Sequence, residues 1–164
     1  MEYWDIYDEN KQPTGRTMKR NDWCLKDGEY HLTVLGVVAR PNGTFLITKR
    51  VMTKAWAPGW WEVSGGAAQA GEDSYEAVLR EVKEETGMEV KKAEYLFSLP
   101  NIYVYSGFTV HTLDLFFRCT VTDTLHYQAM DDAADVFFLP LKDIHTEDFG
   151  LSSIRKGVGI FLKE

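Results

Sequence analysis

Three glutamates, Glu81, Glu84 and Glu85, lie within five consecutive residues of a predicted helix. At 100° per residue, all three carboxylates project into one arc of roughly 100°. Glu81 and Glu85 form a like-charged i,i+4 pair, which weakens a helix unless a cation lies between them. Grouped carboxylate oxygens are suitable ligands for Mg²⁺ or Mn²⁺. The cluster therefore predicts metal chemistry, whereas glutamates on most helices are simply solvated.

The helix that carries these glutamates has clear start and stop signals. Asp73, followed three residues later by Glu76, predicts an N-terminal capping box, and Gly87 is placed to end the helix in the left-handed conformation. An apolar stripe lies beside the acidic edge and consists of Tyr75, Val78, Leu79 and Val82. We expect the stripe to pack on a core while the acidic edge borders a cleft.

The whole segment from Gly66 to Met88 fits a longer pattern, the Nudix box G-x5-E-x7-R-E-U-x-E-E-x-G-U, in which U is aliphatic. The specified positions are Gly66, Glu72, Arg80, Glu81, Val82, Glu84, Glu85, Gly87 and Met88. A chance match at one register has a probability on the order of 10⁻⁹. On these residues the sequence resembles the Nudix hydrolase family, and the flanking segments look similar over most of the chain.

The resemblance implies a metal site, with Mg²⁺ or Mn²⁺ as the cofactor, and hydrolysis of a diphosphate. The implied ligands are the Gly66 carbonyl and the carboxylates of Glu81, Glu84 and Glu85. Either Glu81 or Glu84 would act as the general base or orient it, and the motif alone does not rank them. Arg80, which we group with the catalytic residues, is expected to hold the box loop on the helix through an ion pair with Glu72.

Residues outside the box are expected to recognise the substrate. By family analogy the candidates are Lys49 and Arg50 for the phosphates, and Trp56, Tyr103 and Tyr105 for the attached group. Two aspartates, Asp131 and Asp132, precede a predicted strand, where many family members supply a further carboxylate to the metals or to the catalytic water. Each of these could instead be an ordinary exposed charge or part of the cleft wall.

Two other functions have to be weighed against hydrolysis. The segment from Ser64 to Ala67 is similar to the isomerase-like branch of the family, related to isopentenyl-diphosphate isomerases, and His31 matches a metal-binding histidine there. The isomerase mechanism needs a cysteine in the strand just before the box, and this chain has Val63-Ser64-Gly65-Gly66 instead. A catalytically silent nucleotide-binding domain generally lacks box glutamates, and all are present. The sequence therefore favours a metal-dependent pyrophosphohydrolase that cleaves a nucleoside diphosphate linked to another moiety X, or a related organic diphosphate.

The whole chain suits a single domain over residues 1–164, with 1–28 as an N-terminal extension and 66–88 as the box. A net charge of −7 without a basic run argues against a nucleic-acid polymer as partner. No apolar run is long enough to span a membrane, and the first residues lack the order of a signal peptide. Cys24 and Cys119 have no metal-ligand spacing and are typical of free thiols, so we expect a cytoplasmic protein. The extension could complete a sheet edge, reach over the site or contribute to a homodimer.

The order of predicted elements gives the fold class. Hydrophobic alternation predicts strands over Tyr3–Tyr7, His31–Arg40, Thr44–Arg50, Glu89–Ser98, Phe108–Val121 and Ala134–Leu139. A closing helix is expected over Leu151–Leu162, despite Gly157 and Gly159. Pro41-Asn42-Gly43 predicts a hairpin turn, and Leu99–Gly107 predicts a loop. Helices then cover both faces of a mixed sheet, and the resemblance makes this an α/β/α sandwich.

Overall fold

The computed structural model describes residues 2–39, 44–50, 61–105, 108–121, 133–149 and 152–163. The strands are β1 (Tyr3–Tyr7), β2 (Pro13–Lys19), β3 (His31–Val38), β4 (Thr44–Arg50), β5 (Trp61–Glu62), β6 (Ser64–Ala67), β7 (Val90–Tyr105), β8 (Phe108–Val121) and β9 (Ala133–Pro140). The helices are α1 (Ser74–Thr86) and α2 (Ser152–Leu162), and two single 3₁₀ turns, Leu141–Asp143 and Thr146–Asp148, lie between β9 and α2. In these ranges, neither helix has the length and apolar character needed to cross a membrane.

Four strands form a mixed sheet in the order β6-β3-β8-β7, which confirms the predicted α/β class. β3 runs parallel to β8, from His31 opposite Thr112 to Val38 opposite Cys119, and the other pairs in this sheet are antiparallel. Three further strands form an antiparallel sheet in the order β5-β4-β9. β1 and β2 pair with each other as an N-terminal hairpin.

Two hydrophobic clusters lie on opposite faces of β3, because successive side chains of a strand point to opposite faces of the sheet. Val34 and Val38 join a cluster with Val78 and Val82 of α1. Leu35 and Val37 join a second cluster, which includes Phe45 and Ile47 of β4 and Ile154 and Val158 of α2. The two helices therefore cover opposite faces, as in the predicted sandwich. Complete burial of Val78 and Val82 stabilises the docking of α1 by roughly 1.5–3 kcal/mol each.

Two local expectations are wrong, and a third is not tested. The expected hairpin turn at 41–43 lies outside the described residues; Ala39 and Phe45 on either side of it form an antiparallel bridge, and β4 pairs with β5 and β9 in the three-stranded sheet. The predicted loop at 99–107 is strand as far as Tyr105, because β7 is an edge strand and an edge tolerates Pro100. Tyr75 is 44% exposed rather than part of the packed stripe, which is centred on Val78 and Val82.

Candidate active site

The boundaries of α1 are fixed by its own sequence, as predicted. Asp73 Oδ1 accepts a hydrogen bond from the Glu76 amide at 2.7 Å, and the Glu76 carboxylate accepts one from the Asp73 amide at 3.2 Å. At the other end, Gly87 has φ = 77° and donates its amide to the Lys83 carbonyl at 2.8 Å. These caps set the helical register, and with it the face on which the box side chains lie.

Arg80 lies at the centre of the acidic side chains. Its Nε and Nη2 donate to the two oxygens of Glu72 at 2.7 and 2.8 Å, and Nη2 also donates to the Ala67 carbonyl at 3.2 Å. Its Nη1 donates to Glu81 at 2.9 Å and to Glu84 at 3.1 Å. All five N–H groups of the guanidinium therefore have acceptors. The Glu72 hydrogen bonds, followed by the charge of Glu81, raise the pKa of Arg80 above its ordinary value.

Glu72 connects the glycine-rich loop to the helix. The hydrogen bonds from Arg80 hold the pKa of this carboxyl below its usual range, and partial burial opposes them only in part. Glu72 Oε1 also accepts from the Gln69 amide at 2.9 Å, so the carboxylate binds the loop and the helix at once. The ion pair that the resemblance implied is present in the structure.

Glu81 is the most buried of the three glutamates that pair with Arg80, with 13% of its side chain exposed. Burial raises the pKa of Glu81 to about 7; Arg80 opposes the shift, and the charges of Glu84 and Glu2 add to it. A Cβ atom on Gly66 would lie 2.7 Å from the Glu81 carboxylate. Glycine is therefore required at position 66 for the backbone to approach this carboxylate.

Glu84 and Glu85 have contrasting surroundings. The Glu84 side chain is 46% exposed, whereas Glu85 is 7% exposed and accepts a hydrogen bond from the Gly65 amide at 2.8 Å. The three glutamates are thus distributed around Arg80 and the loop. Among the residues that the structure describes, no three carboxylate, imidazole or thiol groups lie close enough to hold one ion.

The donor set around Gly66 nevertheless suits a hard divalent cation. One positively charged nitrogen of Arg80 contacts oxygens of both Glu81 and Glu84, so a single cation can reach both carboxylates. The absent side chain at Gly66 leaves backbone next to Glu81, where its carbonyl is a further oxygen donor. These three groups fit the metal that the family resemblance implies, whereas Glu85 is already bound to the loop.

For the remaining predicted contacts the structure gives a strand position at most, and some lie outside the described residues. Lys49 is on β4, opposite Trp61 and Asp135 in the three-stranded sheet. For Arg50, Tyr103 and Tyr105 only the strand positions are described. Trp56, Asp131 and Asp132 fall outside the described ranges. Their roles in substrate or metal binding stay predictions.

The N-terminal hairpin contacts the loop of the box; the sequence left open that this extension reaches the site, but it did not indicate the residues involved. The Tyr3 carbonyl accepts from the Ala70 amide at 2.7 Å, and Asp5 Oδ2 accepts from the Gly71 amide at 2.9 Å. An open recess of about 490 Å³ lies between the hairpin and the box loop, lined by Glu2, Tyr3, Gln69 and Ala70. The strand pattern of β1 was readable, but nothing in it indicated which loop β1 would contact.

Neither cysteine lies where the isomerase chemistry would need it. Cys119 is buried in the cluster beneath α1, and burial raises the pKa of its thiol to about 12. Cys24 is exposed between β2 and β3. The residue that begins β6, two positions before the first glycine of the box, is the fully buried Ser64.

Comparison with known proteins places this geometry in context. The family model described as the NUDIX domain matches residues 29–156. A protein named Uncharacterized Nudix hydrolase lin0387, from Listeria innocua, is 42% identical over 91 residues, which cover 55% of this chain and 53% of that protein. A protein named Isopentenyl-diphosphate Delta-isomerase, from Kocuria rhizophila, is 31% identical over 87 residues, covering 52% and 48% respectively. The chain thus spans about half the length of the curated relatives it matches.

One solved structure matches nearly the whole chain. DR0079 from Deinococcus radiodurans superimposes with a TM-score of 0.75 at 20% identity, and the match covers 97% of this chain and 98% of that one. At this identity the likeness is one of fold. It extends beyond residues 29–156, and so includes most of the N-terminal hairpin.

Proposed function

The chain belongs to the Nudix domain family, and on that premise we propose that it is a metal-dependent pyrophosphohydrolase, which cleaves a nucleoside diphosphate linked to another moiety or a related organic diphosphate. The observation that carries the proposal is the contact of one Arg80 nitrogen with both Glu81 and Glu84, next to the half-buried backbone of Gly66. Carboxylate and carbonyl oxygens in this arrangement are the ligands that Mg²⁺ and Mn²⁺ take in proteins.

In the proposed mechanism the metal would neutralise diphosphate charge and lower the pKa of a bound water. The chain's own residues would orient the groups and accept the proton. Glu81 and Glu84 are the two candidate bases, because both carboxylates contact the same nitrogen, Arg80 Nη1. Glu81 is largely buried, whereas Glu84 is accessible to water. Arg80, held by Glu72, would keep both carboxylates in place. Lys49 and Arg50, at the end of β4, are the candidates to bind the phosphates.

The test is hydrolysis by the purified protein of a panel of nucleoside diphosphates, dinucleotides, nucleotide sugars and isopentenyl diphosphate. We expect at least one of them to be cleaved with Mg²⁺, no cleavage in EDTA, and recovery when Mg²⁺ is restored. Glu84→Gln should lower kcat by at least ~100-fold with the fold intact. The matched control is Glu89→Gln, since Glu89 is 70% exposed and lies one residue beyond the box. No product from any diphosphate, together with no metal binding, would favour a silent binding domain.

Isomerisation is the second candidate, favoured by the similarity to a protein named as an isopentenyl-diphosphate isomerase. The positions of the side chains argue against isomerisation. Cys119 is buried in the core, and the strand β6, which leads into the box, begins with Ser64 and has no cysteine. Isopentenyl diphosphate in the panel separates the two reactions. A dimethylallyl product would establish isomerisation, and release of phosphate would establish hydrolysis.

A further inference from the structure

We propose that the N-terminal hairpin, β1 and β2, is part of the active site and that Asp5 is a positioning residue, which acts through Gly71, Glu72 and Arg80. The hairpin precedes the region matched by the family model, which begins at residue 29. The inference rests on the proposed hydrolase function and adds to it a group from outside the matched region.

β1 lies along the loop that precedes α1. The Ala70 amide donates to the Tyr3 carbonyl at 2.7 Å, and the Gly71 amide donates to Asp5 Oδ2 at 2.9 Å. Two successive amides of the loop thus use acceptors on β1. An amide that lost such an acceptor would have to find water or move.

The backbone of Gly71 has a φ of +84°, a left-handed conformation that is favourable for glycine, and a Cβ there would meet nothing within 4 Å. Glycine alone does not favour this conformation over others, because it has the widest backbone freedom of any residue. The hydrogen bond from the Gly71 amide to Asp5 selects it, and the direction in which Glu72 leaves the backbone follows from that choice.

Arg80 links the position of Glu72 to the positions of Glu81 and Glu84, the carboxylates proposed to bind the metal. Glu72 receives two of the five guanidinium N–H groups of Arg80, and two of the others bind Glu81 and Glu84. Since every donor of Arg80 has an acceptor, a displaced Glu72 must leave a donor unpaired or draw the guanidinium with it. Loss of the acceptor oxygen at position 5 should therefore alter the site, although Asp5 does not contact the metal-binding carboxylates itself.

The hairpin is held in place by contacts that do not involve Asp5. Trp4 stacks on His31 with ring centroids 4.0 Å apart, and Tyr7 and Tyr30 exchange backbone hydrogen bonds of 2.7 and 2.9 Å. Lys11 Nζ donates to Ser98 Oγ on β7 at 2.7 Å. A substitution at Asp5 should consequently leave the hairpin docked and change the box loop alone.

The experiment compares Asp5→Ala with Asp5→Asn, whose amide oxygen can still accept from Gly71. Asp8→Ala is the matched control, because the Asp8 carboxylate caps Asn10 and Gln12 in the turn of the same hairpin. We expect Asp5→Ala to lower kcat by ~10-fold or more and to raise the Mg²⁺ concentration for half-maximal rate. Asp5→Asn should stay within ~3-fold of the parent, and Asp8→Ala should change the melting temperature without changing the metal dependence.

Equal rates and equal Mg²⁺ dependence in Asp5→Ala and the parent would overturn the proposal, as would equal impairment in Asp5→Ala and Asp5→Asn. A parent that hydrolyses nothing would instead remove the proposed function. The positional coupling is then decided by NMR, from amide exchange at Gly71 and the Nε–H resonance of Arg80. Both should change in Asp5→Ala and stay unchanged in Asp8→Ala; unchanged signals in both variants would exclude the coupling.

Discussion

The guanidinium of Arg80 and the carboxylate of Glu72 form a two-point ion pair, with N–O distances of 2.7 and 2.8 Å. The pair joins a loop to the middle of the box helix. Only 23% of the Arg80 side chain and 15% of the Glu72 side chain are exposed, so the interaction is less screened than a surface pair. The same guanidinium reaches Glu81 and Glu84, which makes the loop, the helix and the two carboxylates one connected unit.

Arg80→Lys should impair catalysis although it preserves the charge. A lysine has three donors on one nitrogen and cannot bind Glu72 at two points while it contacts Glu81 and Glu84. We expect kcat to fall by ~10–100-fold and the free energy of unfolding to fall by ~1–3 kcal/mol. Steady-state kinetics and urea unfolding measure the two effects.

Arg155→Lys is the control for that substitution. Arg155 donates from Nε and Nη2 to the Phe149 carbonyl at 3.0 and 2.8 Å, on α2 and away from the box. It should lose stability on a similar scale with an unchanged kcat. Equal kcat values for Arg80→Lys and the parent would show that the two-point geometry is dispensable.

Gly66→Ala should inactivate a folded protein. The added Cβ would lie 2.7 Å from the carboxylate of Glu81, which is the far end of a flexible side chain and can move aside. The displaced carboxylate would leave its contact with Arg80, so we expect kcat to fall by ~10-fold or more with little change in melting temperature. Thermal unfolding and kinetics on the same preparation test this.

Gly65→Ala, one residue earlier, should have the opposite signature. Its Cβ would lie 2.0 Å from the Val34 carbonyl, where β3 pairs with β6. The backbone there can move aside only if the pairing of the two strands is disturbed. We expect a loss of stability of ~1–3 kcal/mol or more, measurable by urea unfolding. Similar stability losses in both alanine variants would contradict the distinction.

The box and its helix were predictable because their determinants are local. Asp73, Glu76 and Gly87 fix the ends of α1 through residues three or four positions away, and such patterns are visible in sequence. The ion pair between Glu72 and Arg80 was expected from the family pattern and is present. By contrast, the Asp5 contact with Gly71 joins residues 66 positions apart, and neither residue type announces a distant partner.

The misjudged strands show how tertiary context overrides local pattern. Pro100 indicates a loop, but the edge position of β7 lets the strand continue past it. β2, with Gly15 at its middle and mostly exposed residues, has little alternation of its own and is ordered by pairing with β1. Gly157 weakens α2 as an isolated helix, yet a Cβ there would lie 2.1 Å from the Phe116 ring, so packing explains the glycine.

His31 should make the protein less stable in mild acid. Burial lowers the pKa of His31 from 6.5 to about 4, with minor contributions from the charges of Arg20 and His111. Because the unfolded chain takes up this proton more readily, stability is fully present above pH 6.5 and is lost as the pH falls towards 4. The linked change is ~3 kcal/mol over that interval.

His31→Phe isolates this effect, since phenylalanine can keep the stacking on Trp4. The free energy of unfolding, measured in urea at pH 7 and pH 4.5, should fall by ~2–3 kcal/mol more in the parent than in the variant. Other titrating groups cancel in this difference. An identical pH dependence in both proteins would show that folding does not lower the pKa of His31.

Glu81 should make the protein less stable as the pH rises, which is the opposite of the effect of His31. A bound metal should offset this loss of stability, because it neutralises the charge of the buried carboxylate. Its pKa is raised from 4.5 to about 7, mainly by burial, so its contribution to stability is fully present below pH 4.5 and is lost as the pH rises through 7. In EDTA at pH 8, Glu81→Gln should therefore be more stable than the parent by ~2–3 kcal/mol, and the difference should vanish near pH 4.5.

Mg²⁺ at 100 times its dissociation constant would add ~2.7 kcal/mol to the stability of the parent and much less to that of the variant, which lacks the charge that the ion neutralises. Thermal unfolding of the parent and of the variant, in EDTA and in Mg²⁺ and at both pH values, measures these differences in stability. A variant that is less stable than the parent in EDTA at pH 8 would mean that Arg80 alone compensates the buried carboxylate, and that metal is not needed to stabilise its charged form.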